Sequence, residues 1–269
     1  MDENYIEMMR QNLKAAGMPD AQIDAMIQMQ QSAMSMGAEQ MTAMANNLSE
    51  MGINMDDADM EDFVMVENPS VNTSYQWAIA CGADLAQLRG DILNDLNTDK
   101  DTEMSGSVLS NDWGIENHED AVSMCDSLVA GRHSKRYNAD AEKTDGEHSE
   151  EIAEALEVFT ADNLLPAGSR APNMLIWDLG RLVTVARLAF DAGWLNRDEV
   201  MHYLRELAPL VQSVYKSWRD VSIAYQFGRA VWGGIDEFQY AVMKSNMEDL
   251  LNADGSPWKN LPFDMKLEF

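Results

Sequence analysis

The apolar side chains of this chain recur at the spacing of an α-helix in almost every segment that shows a pattern. Intervals of three and four residues place such side chains on one helix face, whereas strands alternate apolar and polar positions. The segments with helical spacing are residues 73–96 (with a break near Gly90), 117–131, 149–161, 172–191, 196–214, 217–232 and 235–252. Strand-like alternation is almost absent. The pattern therefore predicts an all-α fold built as a compact multi-helix domain.

Residues 1–66 have a composition of their own. They contain 14 of the 21 methionines and neither Trp nor Cys. Helical spacing between glycines predicts three short helices, at about residues 3–16, 20–36 and 38–51. An acidic stretch follows, and Pro69 stands in a segment typical of a linker. We therefore predict a Met-rich, acidic helical arm with its linker over residues 1–70 and an all-α domain over residues 71–269.

The C-terminal tail is predicted to be extended. Pro257 and Pro262 are close together after the last predicted helix, and proline cannot continue a helix. Trp258 offers a large side chain that can anchor the tail. We expect the tail to form a strap over the helical core.

Residues 95–106 imitate a calcium-binding loop, with carboxylate or amide side chains at alternate positions. The sixth position, however, is Lys100 where such loops need Gly, and the twelfth is Gly106 where they need Glu. We predict a solvated polar loop over residues 96–107, without a metal.

The excess of acidic residues in the chain indicates which kind of partner it can bind. The chain has 46 acidic and 19 basic residues and a net charge of −27. Such a charge repels nucleic acid and anionic lipid and accelerates encounter with basic proteins. The alternative is that the charge serves solubility alone. We expect a protein partner that is basic, with no direct contact to nucleic acid or membrane.

Three further features of the sequence predict the cellular compartment of the protein. Cys81 and Cys125 are the only cysteines, which is typical of a reducing compartment. The first residues carry acids where a secretion signal needs basic residues, and no apolar segment follows them. No window is long and apolar enough for a membrane span. We expect a cytoplasmic protein.

One apolar helix, within residues 171–195, carries an internal pair of charges. Asp178 and Arg181 are one turn apart directly after Trp177, a spacing that allows them to pair on one helix face. The pair could line a functional pocket, or it could fix the register of the helix in the core. The residues interpreted as structural or as a possible pocket are Trp177, Asp178, Arg181, Trp218, Arg229 and Trp258.

Other chemistry has little support in the sequence. The pairs Met26/Met29 and Met41/Met44 have a spacing that copper(I) could use, but no His or Cys cluster accompanies them. An adaptable protein-binding surface explains these methionines better. The predicted partner-binding residues are Met26, Met29, Met34, Met41, Met44, Asp56, Asp57, Asp59, Glu61 and Asp62. No catalytic residue, metal or cofactor is predicted.

Three stretches together resemble a known family. They are NDWGIENHEDAVSMCDSLVAGRH, WDLGRLVTVARLAFDAGWLNRDEV, and SWRDVSIAYQFGRAVW with SPWKNLPF at the end. They are similar to the bacterial family called domain of unknown function 1266, which includes the YbeU- and YbeR-like proteins. The resemblance covers roughly residues 74–263. It implies a bacterial, cytosolic, helical protein and no established reaction, cofactor or substrate.

Three functions stay open from the sequence. The chain could be a non-enzymatic protein-binding protein, such as an immunity protein that neutralises a basic, toxin-like partner. It could be a regulatory or scaffolding component of a larger assembly, or an enzyme with a pocket at Asp178 and Arg181. A pair open to solvent would favour the enzyme, and a sealed pair would favour either binding function.

Overall fold

The computed structural model describes residues 63–235 and 237–269. The three helices predicted before Gly52 lie outside these residues. The predicted partner-binding methionines and acids, from Met26 to Asp62, also lie outside them.

All regular secondary structure in the described residues is helical, which confirms the predicted all-α class. In chain order the helices are α1 (Thr73–Ala80), α2 (Ala83–Leu88), α3 (Thr102–Trp113), α4 (His118–Val129), α5 (Ser134–Asp140), α6 (Ser149–Ala161), α7 (Leu175–Asp191), α8 (Arg197–Val214), α9 (Trp218–Gly233), α10 (Glu237–Asn252) and α11 (Pro257–Asn260). None of these helices is long and apolar enough to cross a membrane.

Helix α7 is the centre of the described domain. Every residue from Ile176 to Ala189 is buried, and the helix packs against α2, α3, α4, α8 and α9. A helix that is enclosed on all sides belongs to a core and does not lie on the surface. The charged residues of α7 therefore have to find their partners inside the protein.

The closest approach between α7 and α9 depends on a glycine. A Cβ atom at Gly228 of α9 would lie 2.6 Å from the Cβ of Trp177 on α7, which is too close for any other residue. The glycine thus lets the backbone of α9 pack directly against Trp177, and this contact fixes the place of that indole.

Local signals in the sequence account for several helix ends. The side chain of Asn117 accepts a hydrogen bond from the backbone N–H of Asp120 (3.0 Å), as expected for the cap of α4. Asn196 and Glu199 form a reciprocal capping box at the start of α8. The predictions for α4, α6, α7, α8, α9 and α10 are correct to within a few residues at each end.

The prediction for residues 73–107 is wrong in two places. The predicted break near Gly90 is present, since this residue adopts a positive φ of 63° that turns the chain, but residues 91–96 after it form no helix. The predicted polar loop contains the first half of α3, which Asp101 caps by accepting from the N–H of Met104 (2.7 Å). This helix was missed because it is polar almost all round, with only Ser105 and Leu109 buried.

The segment just after α2 is buried, although we expected it to continue a helix, whereas the loop that we expected to be solvated, residues 96–107, is mostly exposed. Residues 91–96 are all buried, and Arg187 of α7 donates to the carbonyl oxygens of Ile92, Leu96 (3.2 Å) and Asn97 (2.7 Å). A fully buried guanidinium needs such acceptors, so it draws the loop backbone against α7. The sequence did not show that Arg187 would need backbone acceptors from this segment.

The first described residues contact the domain closely. The carbonyl oxygen of Val64 accepts from the N–H of Leu93 (2.8 Å), and the side chain of Asp95 accepts from the N–H of Ser70 (2.8 Å). This part of the predicted linker is therefore fixed to the loop after α2. The domain boundary near residue 70 stays a prediction.

The C-terminal tail packs on the core as a strap. The indole N–H of Trp258 donates to the carbonyl of Ala80 (2.8 Å), and that of Trp218 donates to the carbonyl of Leu261 (2.7 Å). The prediction of a fully extended tail is wrong at Pro257–Asn260, which form the short helix α11. Proline is compatible with the first position of a helix because its missing N–H would have no partner there.

Candidate functional site

Asp178 lies in the first turn of α7 and has no exposed surface. Its carboxylate accepts hydrogen bonds from the backbone N–H groups of His133 (2.9 Å) and Ser134 (2.7 Å). It also accepts from Nη2 of Arg181 at 2.6 Å, one turn further along the helix. The predicted pair therefore forms, and its carboxylate is sealed in the protein.

The two backbone donors reach Asp178 because of the turn after α4. Gly131 has a φ of 76°, which ends the helix and redirects the chain. The N–H groups at the start of α5 consequently point at a carboxylate from another helix, which satisfies donors that a short helix cannot satisfy itself. Asp178 thus joins α5 to α7.

The imidazole of His133 stands beside the ion pair. Its Nδ1 lies 3.1 Å from Oδ1 of Asp178 and 2.8 Å from Nη2 of Arg181. One nitrogen either donates to the carboxylate or accepts from the guanidinium, so the ring tautomer selects between the two contacts. Burial and the positive charge of Arg181 lower the pKa of His133. The ring is therefore neutral at pH 7.

Arg181 connects the ion pair to a cavity. Its Nε donates to the carbonyl of Trp177 (2.7 Å), and its guanidinium carbon lies 4.1 Å from the ring centroid of that indole. The ring of Trp113 lies 5.9 Å away, so two indoles flank the cation. Burial lowers the pKa of Arg181, while Asp178 opposes the shift. The group stays charged at neutral pH because an arginine pKa is far above 7.

A cavity of about 450 Å³ lies in front of Arg181. Its volume falls in the range of pockets that hold small molecules. The lining residues come from five helices and the turn after α4. The residues that carry its chemistry are Arg89, Asp112, Trp113, Arg132, His133, Trp177, Arg181, Tyr225, Arg229 and Trp232.

The charge of this lining is opposite to that of the domain around it. Residues 63–269 contain 34 acidic and 17 basic residues, which gives a net charge of −17. Four of the ten arginines in that range line the cavity, and among the described residues Asp112 is the one acidic side chain that lines it with them. Two of these arginines form ion pairs with carboxylates that do not line the cavity: Arg89 pairs with Asp91, and Arg181 pairs with Asp178.

Comparison with known families identifies most of this domain. The model of a family described as protein of unknown function (DUF1266) matches residues 108–263, more than half of the chain. The chain belongs to this family. No curated protein and no solved structure matches it. The bacterial origin and the closer likeness to the YbeU- and YbeR-like proteins stay predictions.

The DUF1266 match includes most of the cavity. All of the lining residues fall within residues 108–263 except Leu85 and Arg89, which α2 and its C-terminal end contribute. The ion pair, His133 and both indoles that flank Arg181 belong to the DUF1266 region. The cavity is therefore a feature of the domain that the family model describes, completed by α2.

The structure brings together some of the residues that the sequence suggested and separates others. Trp177, Arg181 and Arg229 line the cavity, and Asp178 lies behind it. Trp218 and Trp258 stack on each other elsewhere, with ring centroids 5.8 Å apart, beneath the C-terminal strap. These two tryptophans are parts of the core.

Several cavity residues were missed by sequence reasoning. Arg89, Trp113 and Arg132 come from the ends of separate helices or from the turn after one, and no spacing along the chain links them. Tyr225 and Trp232 share one face of α9 with Arg229, at helical spacing, and this signal was not used. A second signal was also present. Gly131 marks the end of a predicted helix, and the residues after a positive-φ glycine leave the helix axis and can reach a neighbouring element.

Metal and thiol chemistry have little basis in the described part of the chain. No group of three or more His, Cys, Asp or Glu side chains in residues 63–235 and 237–269 is arranged to hold a metal ion. Both cysteines are buried, and burial raises the pKa of the Cys125 thiol to about 12 and raises that of Cys81 as well. Neither thiol is ionised at neutral pH, which removes the form that acts as a nucleophile.

Proposed function

We propose that the domain is a non-enzymatic binding module whose cavity takes an anionic ligand. The observation that carries the proposal is the presence of four arginines around one cavity in a domain whose other residues are strongly acidic. Guanidinium groups match carboxylate and phosphate oxygens in a bidentate manner. An anion approaching this surface finds an attractive potential only where positive charges are concentrated.

The state of the ionisable groups supports binding over catalysis. Asp178 is sealed and already accepts three hydrogen bonds within 2.9 Å, so it is not available as a base. Nδ1 of His133 is engaged with the ion pair. Burial also raises the pKa of the Tyr225 phenol, which keeps it protonated. The part of the cavity wall that the structure describes therefore offers cations and aromatic rings for recognition, but no activated nucleophile.

Removal of a cavity arginine is expected to weaken anion binding about ten-fold, the equivalent of one charge-assisted hydrogen bond. Arg132→Gln suits this test because Arg132 is exposed and its loss should leave the fold intact. Binding of tripolyphosphate to the full chain would be measured by isothermal titration calorimetry. Arg170→Gln is the matched control, because it removes the same charge from an exposed position outside the cavity. Equal affinity in both variants and the wild type would contradict the proposal.

A second candidate function is the neutralisation of a basic protein partner in the cytoplasm. The net charge of −17 on residues 63–269 favours it, since such a field accelerates encounter with a basic surface. It uses the acidic exterior and the predicted arm, whereas the first proposal uses the cavity. The two functions are therefore compatible within one chain.

For this second function we expect an association rate that falls steeply with salt, while dissociation changes little. Steering acts over a screening length of about 8 Å at physiological ionic strength. Changing Asp56, Asp57, Asp59, Glu61 and Asp62 to Asn or Gln should lower the same rate. Surface plasmon resonance with a partner purified by pull-down would measure it. A rate that ignores both salt and these substitutions would leave the charge with a role in solubility alone.

A further inference from the structure

The aromatic side chains of the cavity indicate what kind of anion it binds. Trp232 is 57% exposed although it lines the cavity, and it is one of the few large apolar side chains on the described surface. Its ring lies 5.8 Å from that of Trp177, which in turn lies 5.2 Å from the ring of Tyr225. The three rings form a continuous series from the core to the mouth of the cavity.

An exposed indole at the end of such a series provides a flat surface for another ring. Its contact with Trp177 limits its rotation, so little side-chain entropy is lost when a ligand stacks on it. A planar heterocycle stacked on an aromatic side chain is a recurrent way to hold a nucleobase. The arginines of the same cavity suit the phosphate groups that a nucleotide carries.

From this combination we infer that the cavity binds a nucleoside phosphate, with the base on Trp232 and the phosphates among Arg132, Arg181 and Arg229. The inference rests on the proposed anion-binding function and specifies its ligand. The volume of about 450 Å³ is suited to a single nucleotide. A nucleic acid strand, which extends beyond a single cavity, would be repelled by the net charge of −17 on residues 63–269.

The experiment compares three probes that share parts of one ligand. ATP contains both the base and the phosphates, adenosine contains the base without phosphates, and tripolyphosphate contains the phosphates without the base. Calorimetric titration of the full chain should give an affinity for ATP at least ten-fold higher than for either fragment, because only ATP engages both the indole and the arginines.

Two substitutions then assign the contacts. Trp232→Ala should weaken ATP about ten-fold and leave tripolyphosphate unchanged, and Trp232→Phe should restore most of the loss because it keeps an aromatic face. Arg132→Gln should weaken both ligands, and Arg170→Gln should weaken neither. Trp232 is exposed, so its substitution is compatible with the fold, and circular dichroism would verify this.

The outcomes separate this inference from the proposal beneath it. If tripolyphosphate binds as tightly as ATP and Trp232→Ala has no effect, the nucleotide inference is wrong and the anion-binding function stands. If adenosine binds as tightly as ATP, the phosphates contribute nothing and the inference is also wrong. If neither ATP nor tripolyphosphate binds, both fail.

Discussion

Replacing Asp178 with Ala is expected to lower the free energy of unfolding by about 3–5 kcal/mol, the cost of breaking a buried ion pair by removing one partner. The carboxylate has no exposed surface, and Arg181 would keep its charge with only 7% of the residue exposed. The N–H groups of His133 and Ser134 would lose their acceptor at the same time. Urea denaturation would measure the loss as a lower midpoint at constant slope.

Two comparison variants show where that loss arises. Asp178→Asn keeps the shape of the side chain but removes its charge and one acceptor oxygen, so it should lose most of the same stability. In Asp178→Ala combined with Arg181→Leu no uncompensated charge remains, so the combined loss should be smaller than the sum of the single losses. Additive losses would show that the two side chains are not coupled. An unchanged midpoint together with lost tripolyphosphate binding would instead give Asp178 a direct role in the site.

The ion pair illustrates what helical spacing can predict. Asp178 and Arg181 are three residues apart on one helix, and the contact follows from helix geometry once the helix itself is predicted. The other donors to Asp178 lie about 45 residues earlier in the chain and depend on the packing of α5 against α7. Spacing along one element carries no information about such contacts.

The cavity illustrates what the sequence did not show. Arg89, Trp113 and Trp232 lie at or near the C-terminal ends of α2, α3 and α9, and only the arrangement of those helices around α7 brings them together. The number of arginines in the chain does not point to a site. Four of them indicate one only because they line the same cavity in a domain that is otherwise acidic. The net charge of the whole chain does not reveal such a local cluster of basic residues.

Buried polar groups explain the errors in the fold prediction. Arg187 was counted as part of an apolar helix, yet its need for acceptors draws the backbone of residues 91–97 into the core. Residues 91–96 were expected to continue a helix, and apolar spacing does not reveal the acceptors that a buried guanidinium needs. A charged side chain on a helix that is otherwise apolar predicts that some other polar segment must be buried with it. Which segment that is depends on tertiary structure.

A second buried carboxylate gives the domain a predicted dependence on pH. Asp84 of α2 is only 2% exposed, and its Oδ1 accepts from the hydroxyl of Ser222 on α9 (3.0 Å). Its backbone carbonyl accepts from Nδ2 of Asn246 on α10 (3.0 Å). Burial raises the pKa of Asp84 from 3.8 to about 7, against the effect of the surrounding hydrogen bonds. No basic side chain shares in these hydrogen bonds.

The direction of the effect follows from the raised pKa. Because the folded state binds the proton of Asp84 more tightly than the unfolded state, this group stabilises the fold most below its unfolded pKa of 3.8. The contribution then falls as the pH rises towards about 7 and is constant above it. At about 1.4 kcal/mol for each pH unit, the free energy of unfolding should fall by roughly 4 kcal/mol through this group.

Asp84→Asn should remove this dependence, because the amide is neutral at every pH and can still accept from Ser222. Relative to the wild type, the variant should gain stability between pH 4 and pH 8, as measured by urea denaturation across that range. Asp95→Asn is the comparison of opposite sign: burial alone would raise the pKa of Asp95, but hydrogen bonds from Ser70 and Leu96 outweigh it and lower that pKa. That variant should be less stable than the wild type at pH 7 and approach it near pH 3. A difference between Asp84→Asn and the wild type that stays constant from pH 4 to pH 8 would mean that Asp84 does not titrate in this range in the folded protein.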